Sequence, residues 1–271
     1  MHALPPTVFL VCLELAVGGF AVQLWADWER LLSRGFVITS TLILWVFAAL
    51  ALWARLALPF AAEAGLAGQL EAGATLAFTG LLLVYMTLWW AGGEGGRRAI
   101  GALAALAGWA AVLSAAVAHG AQFGVLPTLV SLTLGALALG AAAVAMVLGH
   151  WYLVTPALST RPLLGMTTVL LAAVALQGVL LPVQLLVSNP APTSDSTAAG
   201  VTALLGPYLL AFLLRIGVGI VFPLVLAAMT WQTCRLRAMM SATGLLYIAV
   251  SCVLAGEIAA KTLFFLTGVP T

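Results

Sequence analysis

Eight stretches of about twenty residues, each almost purely apolar, follow one another along the chain with only short polar breaks between them. They fall at roughly 7–25, 36–57, 72–91, 99–119, 126–153, 162–187, 203–230 and 240–266. A helix rises about 1.5 Å per residue, so some twenty residues cross the ~30 Å hydrocarbon core of a bilayer. In lipid every backbone N–H and C=O must be satisfied internally, and continuous apolar runs of this length do so as helices. The expected fold is therefore all-α: a polytopic transmembrane bundle of about eight spanning helices, forming one membrane domain over 1–271. Composition agrees, because 64% of the residues are hydrophobic and 7% are charged, against about 25% charged in a soluble domain. The opening MHALPPTVFLVCLELAVGGF lacks the basic flank of a cleaved leader and reads as the first spanning helix.

The loop charges predict an orientation. Arg30, Arg34, Arg97, Arg98, Arg161, Arg235 and Arg237, seven of the ten basic residues, fall in the breaks after the first, third, fifth and seventh segments. Only Arg55 and Lys261 lie near the opposite boundary, and Arg215 lies inside the seventh segment. The positive-inside rule then puts both termini outside, in the periplasm of a Gram-negative host, with the protein in the inner (cytoplasmic) membrane. The longest break, SNPAPTSDSTAAG at 188–200, is expected to be a flexible outward-facing connector. AGGEGGRR at 91–98 reads as a tight inner turn, since no GK[ST] follows its glycines as a phosphate loop requires. Tryptophans 25, 28, 53, 89, 90, 151 and 231 sit near segment ends and form an expected aromatic belt.

Small residues crowd the fourth segment and GALALGAAAVAMVLG at 135–149, so these two helices are expected to pack as a tight hairpin. A faint echo links YMTLWW at the end of the third segment to AAMTWQTCRLR at the end of the seventh. It raises the idea of a four-helix unit duplicated in parallel.

Charges inside a span are costly and mark sites of interest. Glu14, Arg215 and Glu257 qualify, and their depths differ by only a turn or so. Arg215 is expected to bridge to Glu257, or to Glu14. Lys261 is four residues from Glu257 and shares its face, nearer the outer interface. Such a group either fixes helix packing or lines a polar pocket that binds a quinone headgroup, relays protons or holds a small solute. His119 ends the fourth segment on the outer side, with Glu14, Glu257 and Tyr208 at compatible depth. An imidazole at that rim suits proton release to the outer phase. Arg215, Glu257, Glu14, His119 and Tyr208 thus make up the candidate quinone or proton site.

His150, in GHWYLVTP at 149–156, is the candidate cofactor residue at the inner rim of the fifth segment. The histidines at 119 and 150 fall at opposite membrane faces, and His2 is terminal, so bis-histidine haem ligation is not expected. One histidine with another axial ligand, such as a methionine, stays open. No metal site is expected, because no HxxxH, HExxH or CxxC spacing occurs. The scattered cysteines 12, 234 and 252 read mainly as small hydrophobes. A formal charge of +2 gives no basis for nucleic-acid binding.

Three functional classes follow. The first is a haem-free, quinone- or quinol-interacting subunit of a bacterial respiratory or electron-transfer complex. It would be catalytic only as part of a multi-subunit oxidoreductase, with other membrane subunits and an outward-facing redox subunit as partners. In helix number, size and sparse buried charge the chain resembles the membrane anchor subunits of bacterial dimethyl-sulfoxide and polysulfide reductases. That resemblance carries no residue motif. The second class is a small-solute or proton-coupled transporter, with IGVGIVFP at 216–223 as the place for a broken helix. The third is a non-catalytic assembly or scaffold subunit. Hydrolysis is disfavoured, since neither GxSxG nor a spaced carboxylate pair is present.

Overall fold

A computed structural model describes residues 3–57, 65–92, 96–120, 124–155, 158–187 and 195–271. His2, Pro156, the 93–95 part of the glycine-rich turn and the 188–194 part of the long connector lie outside these residues. The described residues form helices α1 (Leu4–Trp28), α2 (Arg34–Ala57), α3 (Leu66–Ala91), α4 (Arg97–His119), α5 (Val125–Val154) and α6 (Arg161–Val187). They continue with α7 (Asp195–Leu205), α8 (Leu209–Ile216), a π-helical turn (Gly217–Val221), α9 (Phe222–Arg235) and α10 (Met239–Thr267). Among the described residues eight helices are long and apolar enough to cross a membrane, the seventh being the continuous run Leu209–Arg235. Asp195–Leu205 is helical, so the 195–200 part of the expected unstructured connector forms regular structure. Leu204 is fully buried, and Gly200 lets α7 approach the carbonyl of Thr267 on α10.

Helix α1 is the axis of the bundle. In its most apolar stretch 89% of residues are buried, compared with 28% in α3 and α6. Its neighbour α5 is the next most enclosed, at 61%. The two meet through glycine. A Cβ on Gly18 would overlap the carbonyl of Ala136, and one on Gly140 would come 2.8 Å from Gly18 Cα. Small residues let backbones touch where lipid offers no hydrophobic drive for helix association. The small-residue face of α5 is therefore spent on α1, and the expected α4–α5 hairpin is not the dominant contact. Helix α4 packs chiefly on α3, and its glycines receive aromatic rings. A Cβ on Gly108 would press on Phe78 and one on Gly101 on Tyr85, each at 3.1 Å.

Both halves of the chain close the same ring. In the first, α1 packs on α2, α2 on α3, α3 on α4 and α4 back on α1. In the second, α5 packs on α6, α6 on α9, α9 on α10 and α10 back on α5. Helix α1 joins the rings through α5 and α10. The sequence echo falls at matching places, the ends of the third span of each ring. At both, an arginine guanidinium lies over a tryptophan: Arg97 at 3.8 Å from the Trp89 ring centroid, Arg235 at 4.8 Å from that of Trp231. Arg97 reaches its partner across the turn, whereas Arg235 shares a helix with its own.

The two ends of the bundle differ in chemistry. One gathers the arginine-rich turns and is here the basic face. Arg34 donates to the Trp90 carbonyl at 2.7 Å, and Arg161 pairs with Glu29 at 3.1 Å, tying three turns together. The other, the terminal face, carries both chain ends. The flanks expose leucine, valine and tryptophan, for example Leu76, Leu106, Val179, Leu210 and Trp53, as a lipid-contacting surface requires. Trp89 departs from the expected belt: it is buried beneath Arg97, while Trp25, Trp28, Trp53 and Trp90 are exposed.

Candidate functional site

Three helices bring their rare charges to one point in the core, and a fourth adds an amide. Arg215 lies at the end of α8, Glu257 and Lys261 lie one turn apart on α10, and Glu14 lies on α1. Arg215 Nη1 is 3.2 Å from Glu257 Oε1. Lys261 Nζ is 3.1 Å from Glu257 Oε2 and 2.8 Å from Glu14 Oε1. Gln177 on α6 donates to Glu257 Oε1 at 2.8 Å. None of the four charged residues is more than 2% exposed. Two carboxylates thus face two cations with no water-exposed edge, which is the arrangement that makes buried charge tolerable.

Glycine builds this site as much as charge does. On α5, a Cβ at Gly135 would come 2.8 Å from both Glu14 Oε1 and Glu257 Oε2. A side chain there would separate the carboxylates from their shared lysine. Gly219 and Gly256 touch backbone to backbone, a Cβ on Gly219 falling 2.6 Å from Gly256 Cα. That contact draws Arg215 against α10. It lies within the π-helical turn just before Pro223. Proline has no N–H for the helical ladder, and the Phe222 N–H reaches back to the Gly217 carbonyl instead. The interruption expected at IGVGIVFP takes this form, a widened turn rather than an unwound segment. Among the described residues Arg215 Nε, Gln177 Oε1 and both Glu14 oxygens have no hydrogen-bond partner. Lys261 faces Glu14 as an ion pair without hydrogen-bond alignment.

His119 stands apart from this cluster. Its Nε2 lies 3.0 Å from Glu71 Oε1 on α3, and Arg55 Nε on α2 holds Glu71 Oε2 at 2.7 Å. Arg55 also donates to the Gly68 carbonyl at 3.0 Å. The Phe265 ring of α10 meets the imidazole edge-on, with centroids 5.5 Å apart. This triad sits at the terminal face, where α2 ends, α3 begins and α4 ends. Among the described residues each ring of helices thus carries a charged polar cluster on its three outer spans: Arg55, Glu71 and His119 in the first, Gln177, Arg215 and Glu257 in the second.

The structure divides the candidate residues accordingly. Arg215, Glu257 and Glu14 come together. His119 partners Glu71 rather than Glu14, Glu257 or Tyr208. Tyr208 caps the start of α8 and makes no side-chain hydrogen bond to either cluster among the described residues. His150 is exposed near the end of α5 at the basic face, with the Tyr247 hydroxyl 3.5 Å from Nδ1. His119 and His150 thus lie at opposite ends of the bundle. Among the described residues no group of three histidine, cysteine or acidic side chains is placed to hold a metal.

Glu71 does not stand out in the sequence, because LAGQLEAGA is polar enough to look like a loop end. Helix α3 begins at Leu66 and carries Glu71 inside the bundle. Lys261 lies on the same face as Glu257, as expected, and is buried there. Helix α10 runs on to Thr267, Gly268 turns at φ 73°, and Val269 folds back with no exposure. No family model matches the chain, and no curated protein matches it.

Proposed function

We propose that the chain is the quinone- or quinol-interacting, haem-free membrane subunit of a bacterial electron-transfer complex. In this reading it lies in the inner membrane with its terminal face outward, beside an outward-facing redox subunit. The observation that carries the proposal is the His119–Glu71–Arg55 triad. An imidazole can accept a proton from a quinol hydroxyl, and a carboxylate held by an arginine orients that imidazole. Oxidation of a quinol to a quinone releases two protons and two electrons. His119 and Glu71 would take the protons one at a time and pass them to the nearby aqueous phase. The electrons would leave to the partner subunit. Arg215, Glu257, Glu14 and Lys261 form a charge-balanced core that sets the packing behind this site.

Transport is the second reading, favoured by the π-helical turn beside Arg215, since such turns accompany functional sites. The test is to purify the native assembly in mild detergent, identify co-purifying polypeptides, and measure quinol oxidation with its reduced-minus-oxidised spectrum. His119→Ala is expected to lower quinol turnover about 100-fold or more while the assembly survives. Turnover at the parental rate, or the absence of any redox partner and quinone, would overturn the proposal. Proton-coupled solute uptake into vesicles that depends on Arg215 would establish the second reading instead.

A further inference from the structure

Each ring of helices leaves a cavity at the basic face between its two turns, and the two cavities differ in chemistry. The second ring's, about 450 Å³, lies between the α5–α6 and α9–α10 turns and is lined by Tyr152, Leu153, Met239 and Met240, with Arg237 the one charge. The first ring's, about 430 Å³, lies between the α1–α2 and α3–α4 turns. Its lining is Asp27, Arg30, Leu32, Trp89, Arg97 and Arg98. Among the described residues three arginines face one carboxylate, and that carboxylate already accepts the Tyr85 hydroxyl at 2.6 Å.

The cationic surplus is not neutralised within the described residues. Arg30 and Arg98 have no ion-pair partner there, and Glu29 is taken by Arg161. Arg30 stands at φ 56° in its turn, a left-handed backbone conformation unusual for a side chain of this size. Arg97 is flattened on Trp89, and its buried Nε has no hydrogen-bond partner among the described residues. The cavity also opens at the N-terminus of α4, where first-turn N–H groups add partial positive charge. Exposed Trp28 and Trp90 are close in sequence to its lining residues Arg30 and Trp89, and exposed tryptophans of this kind sit at the depth of lipid headgroups.

We propose that this cavity binds a phosphate group, with Arg30 and Arg98 as its charged ligands and Arg97, braced on Trp89, as a fixed third donor. Guanidinium groups match phosphate oxygens in charge and in paired N–H geometry. The phosphate can belong to an anionic phospholipid of the facing leaflet or to a free phosphate ester. The cavity lies at the opposite face from the His119 triad, so its occupancy and quinol turnover are separable.

The experiment uses the full chain in nanodiscs of phosphatidylcholine with a minor fraction of phosphatidylglycerol. Lipid retained after transfer to detergent is counted by native mass spectrometry, with and without millimolar inorganic phosphate. Selective retention of phosphatidylglycerol is expected, weakened about 30-fold in Arg30→Gln/Arg98→Gln and restored in Arg30→Lys/Arg98→Lys. Arg235→Gln, a basic-face change outside the cavity and away from Glu29, should leave retention intact. Saturable phosphate binding without lipid selectivity, abolished by the same double variant, would assign the site to a free ester. Should the double variant fail to fold, Arg98→Gln alone, at an exposed position, carries the comparison. Equal retention in parent and folded variant, or binding of neither probe, overturns the proposal.

Discussion

Four charged side chains meet in the core of a chain that has only ten basic and eight acidic residues in all. Each is stabilised by the others, so single and paired changes should differ in kind. Glu257→Ala leaves Arg215 and Lys261 facing one remaining carboxylate and should cost about 3–5 kcal/mol of stability. Lys261→Met alone should also destabilise, because Glu14 and Glu257 then face each other across the space that Gly135 leaves open. Glu14→Gln combined with Lys261→Met removes one charge of each sign and should recover much of that loss. Chemical unfolding in micelles, analysed as a double-mutant cycle, checks this coupling. Full additivity would show that the four charges do not act as one network. Glu14, Arg215 and Glu257 were legible because a charge inside an apolar run stands out. Glu71 and Lys261 were not, because each lies where a span merges into polar sequence and only the tertiary fold encloses it.

At the scale of elements, glycine decides which helices touch. Gly18 and Gly140 hold α1 against α5 with no room for a side chain. Gly140→Leu should therefore abolish the folded monomer, measured as loss of the monodisperse peak after detergent extraction. Gly73 on α3 has nothing within 4 Å of the point where a Cβ would stand. Gly73→Ala should be neutral or stabilising by up to about 1 kcal/mol, from helix propensity alone. If both substitutions behave alike, the close α1–α5 contact is not what holds the bundle. Composition alone marked the small-residue helices correctly. It did not tell which partner each one meets, because a glycine accepts a backbone on α5 and an aromatic ring on α4 with equal ease.

For the whole molecule, the arginine turns and the chain ends occupy opposite faces. Positive-inside bias predicts that the basic face is cytoplasmic. A phosphatase reporter fused after Thr271 should then be active, as such reporters are outside the cytoplasm. A single cysteine introduced at Ser159 should react only with membrane-permeant thiol reagents. An inactive reporter together with a freely labelled Ser159→Cys would reverse the orientation, and with it the side to which His119 and Glu71 would release protons. The matched rings put a polar cluster near the terminal ends of the outer spans and a cavity at the basic face in each half. The sequence echo at Trp89 and Trp231 was too short to establish that correspondence unaided.

The sequence by itself determined the environment, the number of spans and the segregation of arginine to alternate turns. These follow from transfer energies summed along the chain, which need no knowledge of neighbours. It also marked the charges that needed burial partners. Only the tertiary structure decided the partners: Lys261 between two glutamates, His119 on Glu71, α5 on α1. Those pairings depend on helix rotation and crossing, set by where glycines permit close approach, and contacts between distant segments leave no periodicity in a single sequence.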